Sequence, residues 1–174
     1  MPTIGVALSI PEPWATELQD YRTSVGDTTA AMIPTHITLV PPTEVTDADF
    51  NEIEKHLEDV ASEFRGFTVH LRGTGTFRPV SPVVFVTVVE GISSCEQLAA
   101  TVRRGPLDVD IAFPYHPHVT IAHHLSDAQL GERLVELADF ECLFDATEFH
   151  LYVHDETAGW QTSRDFRFDA SAGT

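Results

Sequence analysis

An internal repeat constrains this chain more than any other feature. A strand-like segment starting near Ile4 leads through a helical segment to His36-Ile37-Thr38-Leu39, 32 residues on. A second, starting at Val83, leads through another helical segment to His118-Val119-Thr120-Ile121, 35 residues on. Pro34 and Pro117 closely precede the two tetrapeptides, and a capped amphipathic helix follows each within about ten residues. A unit of strand, helix, His-x-Thr-aliphatic strand and helix thus occurs twice. Two copies are too few for a solenoid, so they point to pseudo-symmetric lobes whose equivalent strands meet. The expected architecture is α+β (mixed α/β), one bilobal domain over residues 1–174, with the duplicated units facing a central cleft.

Periodicity places the elements. Phe50, Ile53, Leu57, Val60 and Phe64 recur at helical spacing, which predicts a helix over 47–64. Thr46 with Asp49, and Ser126 with Gln129, are capping-box pairs that start this helix and another over 127–138. Two more helices are expected over 12–22 and 94–103. Phe67, Val69 and Leu71 alternate with Thr68, His70 and Arg72, the pattern of a half-buried strand over 67–77. Residues 83–89 are apolar on both faces, as in a central strand. Strands are also expected at 3–9, 36–40, 118–122, 140–153 and 160–168, with a fraying tail over 169–174.

A strand alternates its side chains between faces. His36 and Thr38 therefore share one face and Ile37 and Leu39 the other; His118 and Thr120 stand likewise against Val119 and Ile121. The aliphatic pairs can bury under helices, while the polar pairs must meet water, a ligand or another polar group. Two lobes related by a pseudo-twofold would set two imidazoles and two hydroxyls around one pocket. That set suits a phosphodiester. One proton must leave the nucleophile and another must reach the leaving oxygen, and imidazole does either near neutral pH. Threonine hydroxyls would hold the non-bridging oxygens, and no metal or other cofactor is required.

Composition narrows the partners. Ten basic and 27 acidic residues give a net charge of −17, and Lys55 is the only lysine. Such a surface repels long polyanions, because nucleic-acid affinity comes largely from neutralised phosphates; a small phosphate ester is still accessible to local cations. The longest apolar run, 82–89, is far short of the roughly 20 residues of a membrane helix. No basic region followed by an apolar stretch opens the chain, so a cytoplasmic monomer without membrane association is expected. Cys95 and Cys142 form no C-x-x-C pair and are expected to be reduced and buried.

The paired His-x-Thr-aliphatic motifs, about 80 residues apart, resemble those of the two-histidine (2H) phosphoesterases, including the bacterial 2′-5′ RNA ligase-like proteins that act as RNA 2′,3′-cyclic phosphodiesterases. The contexts Pro34-Thr35-His36-Ile37-Thr38-Leu39 and Pro117-His118-Val119-Thr120-Ile121 match, as does Gly75-Thr76-Phe77. The resemblance implies antiparallel sheets around a cleft. It makes His36 the acid that protonates the leaving ribose oxygen, His118 the base that activates water, and Thr38 and Thr120 the phosphate ligands. The implied substrate is a small nucleotide or a cyclic phosphate at an RNA end. Many members carry a Lys soon after the first motif and an Arg five positions after the second His. Here Val40-Pro41-Pro42 and His123 stand at those places. Either the phosphate-binding cation is missing, and the substrate differs from an RNA end, or His123, Arg72 or Arg78 supplies it. Phe77, Arg78, Tyr115 and Trp160 are candidates for a base-stacking wall.

Two other readings compete. The same pocket could bind a nucleotide phosphate without turning it over. The histidines at 116, 118, 123 and 124 could instead hold a metal, although no Cys or carboxylate stands at a familiar ligand spacing. His116 and His124 are expected at the pocket rim or surface.

Overall fold

The computed structural model describes residues 1–27, 30, 33–111, 114–123 and 125–169. In chain order these form β1 (Thr3–Ser9), α1 (Trp14–Ser24), β2 (His36–Glu44), α2 (Asp47–Glu63), β3 (Phe67–Thr76), β4 (Val83–Glu90), α3 (Ile92–Val102), β5 (His118–His123), α4 (Asp127–Glu136), β6 (Glu141–Ala146), β7 (Glu148–Asp155) and β8 (Gly159–Arg167). One 3₁₀ turn, Gly105–Leu107, follows α3. The strands make two antiparallel sheets, ordered β2-β1-β7-β8 and β5-β4-β3-β6.

The duplication is present as a fold. In each unit a strand, a helix and an antiparallel His-x-Thr strand follow one another: β1-α1-β2 and β4-α3-β5. Each His-x-Thr strand is the edge of its sheet. The helices cross over, α1 contacting β5 and α3 contacting β2, and the two edge strands contact each other. Each unit's helix thus buries part of its apolar face (Leu18 in α1; Cys95, Leu98, Ala99 and Val102 in α3) against a core shared by both sheets. Apolar burial stabilises at roughly 25 cal/mol per Å², so this exchange holds the edges together.

Local signals account for most boundaries. The Thr46 hydroxyl accepts the Asp49 N–H at 3.1 Å, and at Ser126 the full reciprocal box with Gln129 forms. Helix α1 starts at Trp14 rather than 12, because the Glu12 carboxylate lies outside it and accepts the Thr16 N–H at 3.1 Å. Strand β2 continues past 40 through Pro41 and Pro42. Prolines lack an N–H to donate, but an edge strand has a free side, and the register to β1 shifts here. The expected 140–153 segment is two strands broken at Thr147. β6 pairs with β3 in one sheet and β7 with β1 in the other, so a single residue carries the chain between sheets. β4 is central, between β5 and β3. Cys95 and Cys142 are free and buried, and burial pushes their thiols up to about 12 and about 11. No helix among the described residues is long and apolar enough to cross a membrane. Of the expected tail, residues 170–174 lie outside the described residues.

Candidate active site

The two motifs are equivalent down to their register. His36 lies opposite Ser9, Thr38 opposite Ala7 and Val40 opposite Val6; His118 lies opposite Thr87, Thr120 opposite Phe85 and Ala122 opposite Val84. Leu39 and Ile121 are skipped in both ladders, a bulge one residue after each threonine. A bulge bends its strand and re-aims side chains. Both strands then bury two residues in succession, Leu39-Val40 and Ile121-Ala122, while the His and Thr of each stay half-buried on the opposite face.

Each imidazole is held by the same bond. The His36 Nδ1 lies 2.7 Å from the Pro34 carbonyl oxygen, and the His118 Nδ1 lies 2.7 Å from that of His116. A carbonyl only accepts, so Nδ1–H donates in both and Nε2 is left bare in the neutral ring. Burial pushes the His36 pKa down, the Pro34 carbonyl opposes this, and the Arg22 charge adds to the depression. Burial likewise pushes His118 down to about 4; the His116 carbonyl opposes it, and the charges of His116 and His36 reinforce it. Both rings are therefore neutral in an empty site near pH 7, and His118 feels the His36 charge.

The imidazoles line adjoining cavities that share Thr38. On one side His118 and Thr38 meet Phe77, Arg103, Tyr115 and His116 in a cleft of about 630 Å³. On the other, His36 and Thr38 meet Gly5, Ala7, Tyr152 and Trp160 around a pocket of about 120 Å³. Aromatic rings brace His118: Phe77 meets it edge-on with centroids 4.8 Å apart, and Phe85 lies at 5.3 Å. The Phe85 ring fits because Gly75 faces it; a Cβ there would come within 2.8 Å of two ring carbons. Tyr115 donates its hydroxyl to the Thr38 carbonyl at 2.7 Å, tying the loop before β5 to β2.

In place of one pocket around both imidazoles, the structure puts His118, Phe77 and Tyr115 at the larger cavity and His36 and Trp160 at the smaller, with Thr38 on the wall of both. Thr120 shares a face with His118 but lines neither cavity. His123 ends β5 opposite Val83, and His124 is outside the described residues. Arg78 is turned away: its guanidinium donates to the Thr76 hydroxyl at 3.3 Å and to the Asp127 carbonyl at 2.8 Å. Arg72 is exposed on β3. The cation in the cleft wall is Arg103, at the end of α3, its guanidinium 5.4 Å from the Tyr115 ring centroid. No motif signals Arg103; it arrives because α3 packs against β2. Also missed are Ser9, His150 and Asp165, which are joined by hydrogen bonds beside His36. The alternation Phe149-His150-Leu151-Tyr152 could have put His150 on a polar face. Among the described residues no three of His, Cys, Asp and Glu are grouped so as to hold a metal.

Comparison with known proteins gives a family and a fold. Residues 10–158 match the family described as the 2′-5′ RNA ligase superfamily. A Bacillus cytotoxicus protein assigned as a phosphoesterase is 31% identical over 138 residues, covering 78% of this chain and 80% of the relative. A Bacillus cereus counterpart is 31% identical over 139 residues, covering 79% and 80%. Among solved structures, TT0787 of Thermus thermophilus superposes with a TM-score of 0.72 at 19% identity, covering 98% of this chain and 100% of that one. E. coli LigT, crystallised with 3′-AMP, superposes with a TM-score of 0.66 at 23% identity, covering 97% and 99%.

Proposed function

The chain belongs to the 2′-5′ RNA ligase superfamily, the two-histidine phosphoesterases, and on that premise we propose that it hydrolyses a 2′,3′-cyclic phosphate or related small nucleotide phosphodiester without a metal. The observation that carries the reading is the pair of imidazoles on equivalent strands, each tethered through Nδ1 and so left with Nε2 for chemistry. His118, neutral, takes a proton from water through Nε2 as the water oxygen attacks phosphorus. His36, charged, gives its Nε2 proton to the leaving sugar oxygen as the P–O bond breaks. One proton is taken and one given, so the pair ends with its charges exchanged and resets through solvent.

Thr38 and Thr120 bind the non-bridging oxygens, with Arg103 supplying the positive charge. Burial holds His36 neutral in the empty site, so an entering phosphate anion is what recharges it: binding is coupled to proton uptake. E. coli LigT has been crystallised with 3′-AMP, ATP and NADP⁺, which supports a small nucleotide here. The net charge of −17 opposes a long polyanion.

The test is turnover of 2′,3′-cyclic nucleotides, with and without a strong chelator. Chelator-resistant hydrolysis is the expected result. Loss on chelation with rescue by zinc would overturn the metal-free mechanism. Nucleotide binding without turnover across a broad phosphodiester screen would replace the enzyme with a binding module.

A further inference from the structure

A second polar chain lies on the same face of the first sheet as His36 and Thr38. Its members come from three adjacent strands: Ser9 from β1, His150 from β7 and Asp165 from β8. Ala7 pairs with Thr38 on one side and His150 on the other, His150 pairs with Asp165, and Ser9 stands two residues beyond Ala7. Side chains two apart on a strand, and those directly opposite across a ladder, share a face. Ser9 Oγ is 2.9 Å from His150 Nε2, and His150 Nδ1 is 2.6 Å from Asp165 Oδ1. His150 is 7% exposed, whereas Ser9 is open to solvent.

The bonding order sets what Ser9 offers. A carboxylate only accepts, so Nδ1 of His150 carries a proton and, in the neutral ring, Nε2 does not. In that neutral form Ser9 gives its one proton to Nε2, and its lone pairs remain free as an acceptor. Ser9 is also directly opposite His36, and such partners have Cβ atoms about 4.5–5.5 Å apart. The acid that delivers a proton to the leaving oxygen thus stands beside a fixed acceptor of O–H. The two-histidine proton transfers do not use that acceptor. A phosphate oxygen cannot use it either, having no proton to give.

We propose that Ser9, oriented by His150 and Asp165, accepts a hydrogen bond from the sugar hydroxyl next to the phosphate held at His36. The inference rests on the function proposed above. It makes Ser9 a recognition residue for the ribonucleotide product, since the cyclic substrate does not yet carry that hydroxyl, and makes His150 and Asp165 positioning residues. When His36 protonates the leaving oxygen, the new hydroxyl forms within reach of Ser9. A nucleoside monophosphate lacking that hydroxyl covers the serine and leaves its acceptor unpaired.

The experiment is calorimetric binding of adenosine 2′- and 3′-monophosphates, each against its counterpart lacking the neighbouring hydroxyl. Wild type should bind the better ribonucleotide about tenfold tighter than its deoxy counterpart, the scale of one such hydrogen bond. Ser9→Ala should equalise the two, and Ser9→Thr, which keeps a hydroxyl, should restore the preference. His150→Phe should narrow it while phosphate still binds. A merely structural role would weaken all ligands alike and leave the ratio untouched. Equal binding of ribo and deoxy forms by wild type, or a preference that survives Ser9→Ala, overturns the proposal and leaves the phosphoesterase reading standing. Failure of wild type to bind any of the four nucleotides overturns both. Ser9→Ala changes an exposed side chain, so the comparison does not depend on whether His150→Phe folds.

Discussion

The two halves of the site share a backbone and differ in their floors. Under Thr38 the neighbouring strand carries Ala7, with Gly5 two residues away, and a pocket opens toward Tyr152 and Trp160. Under Thr120 it carries Phe85, whose ring fills the equivalent space and packs on Phe77 with centroids 4.5 Å apart. One floor is open and the other is filled, and the larger cleft, about 630 Å³, lies beside His118 on the filled side. The duplicated units thus carry matching His and Thr positions over floors that differ, Ala7 under one and Phe85 under the other. Burial pushes the braced imidazole down to about 4.

The largest expected effect breaks the symmetric part of the comparison. His36→Ala and His118→Ala should each lower kcat on a 2′,3′-cyclic nucleotide on the order of 10²–10⁴-fold. The double variant should lose less than the product of the single losses, because the rings act as one unit. Undiminished turnover in either single variant would remove that histidine from catalysis.

The threonines sharpen the asymmetric part. Thr38→Ala should cost about tenfold to a hundredfold in kcat/KM, the scale of one hydrogen bond to a charged oxygen. Thr120→Ala should cost less, since Thr120 lines neither cavity. Equal losses would mean that Thr120, over the Phe85 floor, contacts the phosphate as closely as Thr38 does.

Copying the filled floor into the open one is a third test. Ala7→Phe should raise KM about tenfold by filling the pocket beside His36, with kcat less affected. Melting temperature checks that the 5% exposed position tolerates the ring, since overpacking typically costs about 1–3 kcal/mol.

The smallest effect is a displacement along the pH axis. Both free-site histidines have pKa values below the ordinary 6.5, so the kcat/KM bell should lie on the acid side of that value. The sign follows from the roles. Activity falls as pH drops and the base His118 is protonated, and it falls as pH rises and the acid His36 is not. The two limbs belong to the coupled pair. The kcat bell should sit at higher pH, because a bound phosphate anion restores the charged form of His36. A kcat/KM optimum above pH 7 would contradict burial as the controlling influence.

What the residues determine alone is what depends on neighbours close in the chain. Alternation put His36 with Thr38 and His118 with Thr120, and helical spacing with hydroxyl caps at Thr46 and Ser126 placed α2 and α4. These follow from backbone periods of 2 and 3.6, which need no tertiary information. The repeat then implied the pairing of equivalent units. Long-range pairing decided the rest. The break at Thr147 that sends β6 and β7 to different sheets, the arrival of Arg103 in the cleft, and the turning of Arg78 toward α4 left no local trace. Ser9 and His150 are 141 positions apart, and only the pairing of β1 with β7 brings them within 2.9 Å. Local sequence can say which face a side chain occupies. Which other chain segment that face meets depends on burying the shared apolar core, a property of the whole fold.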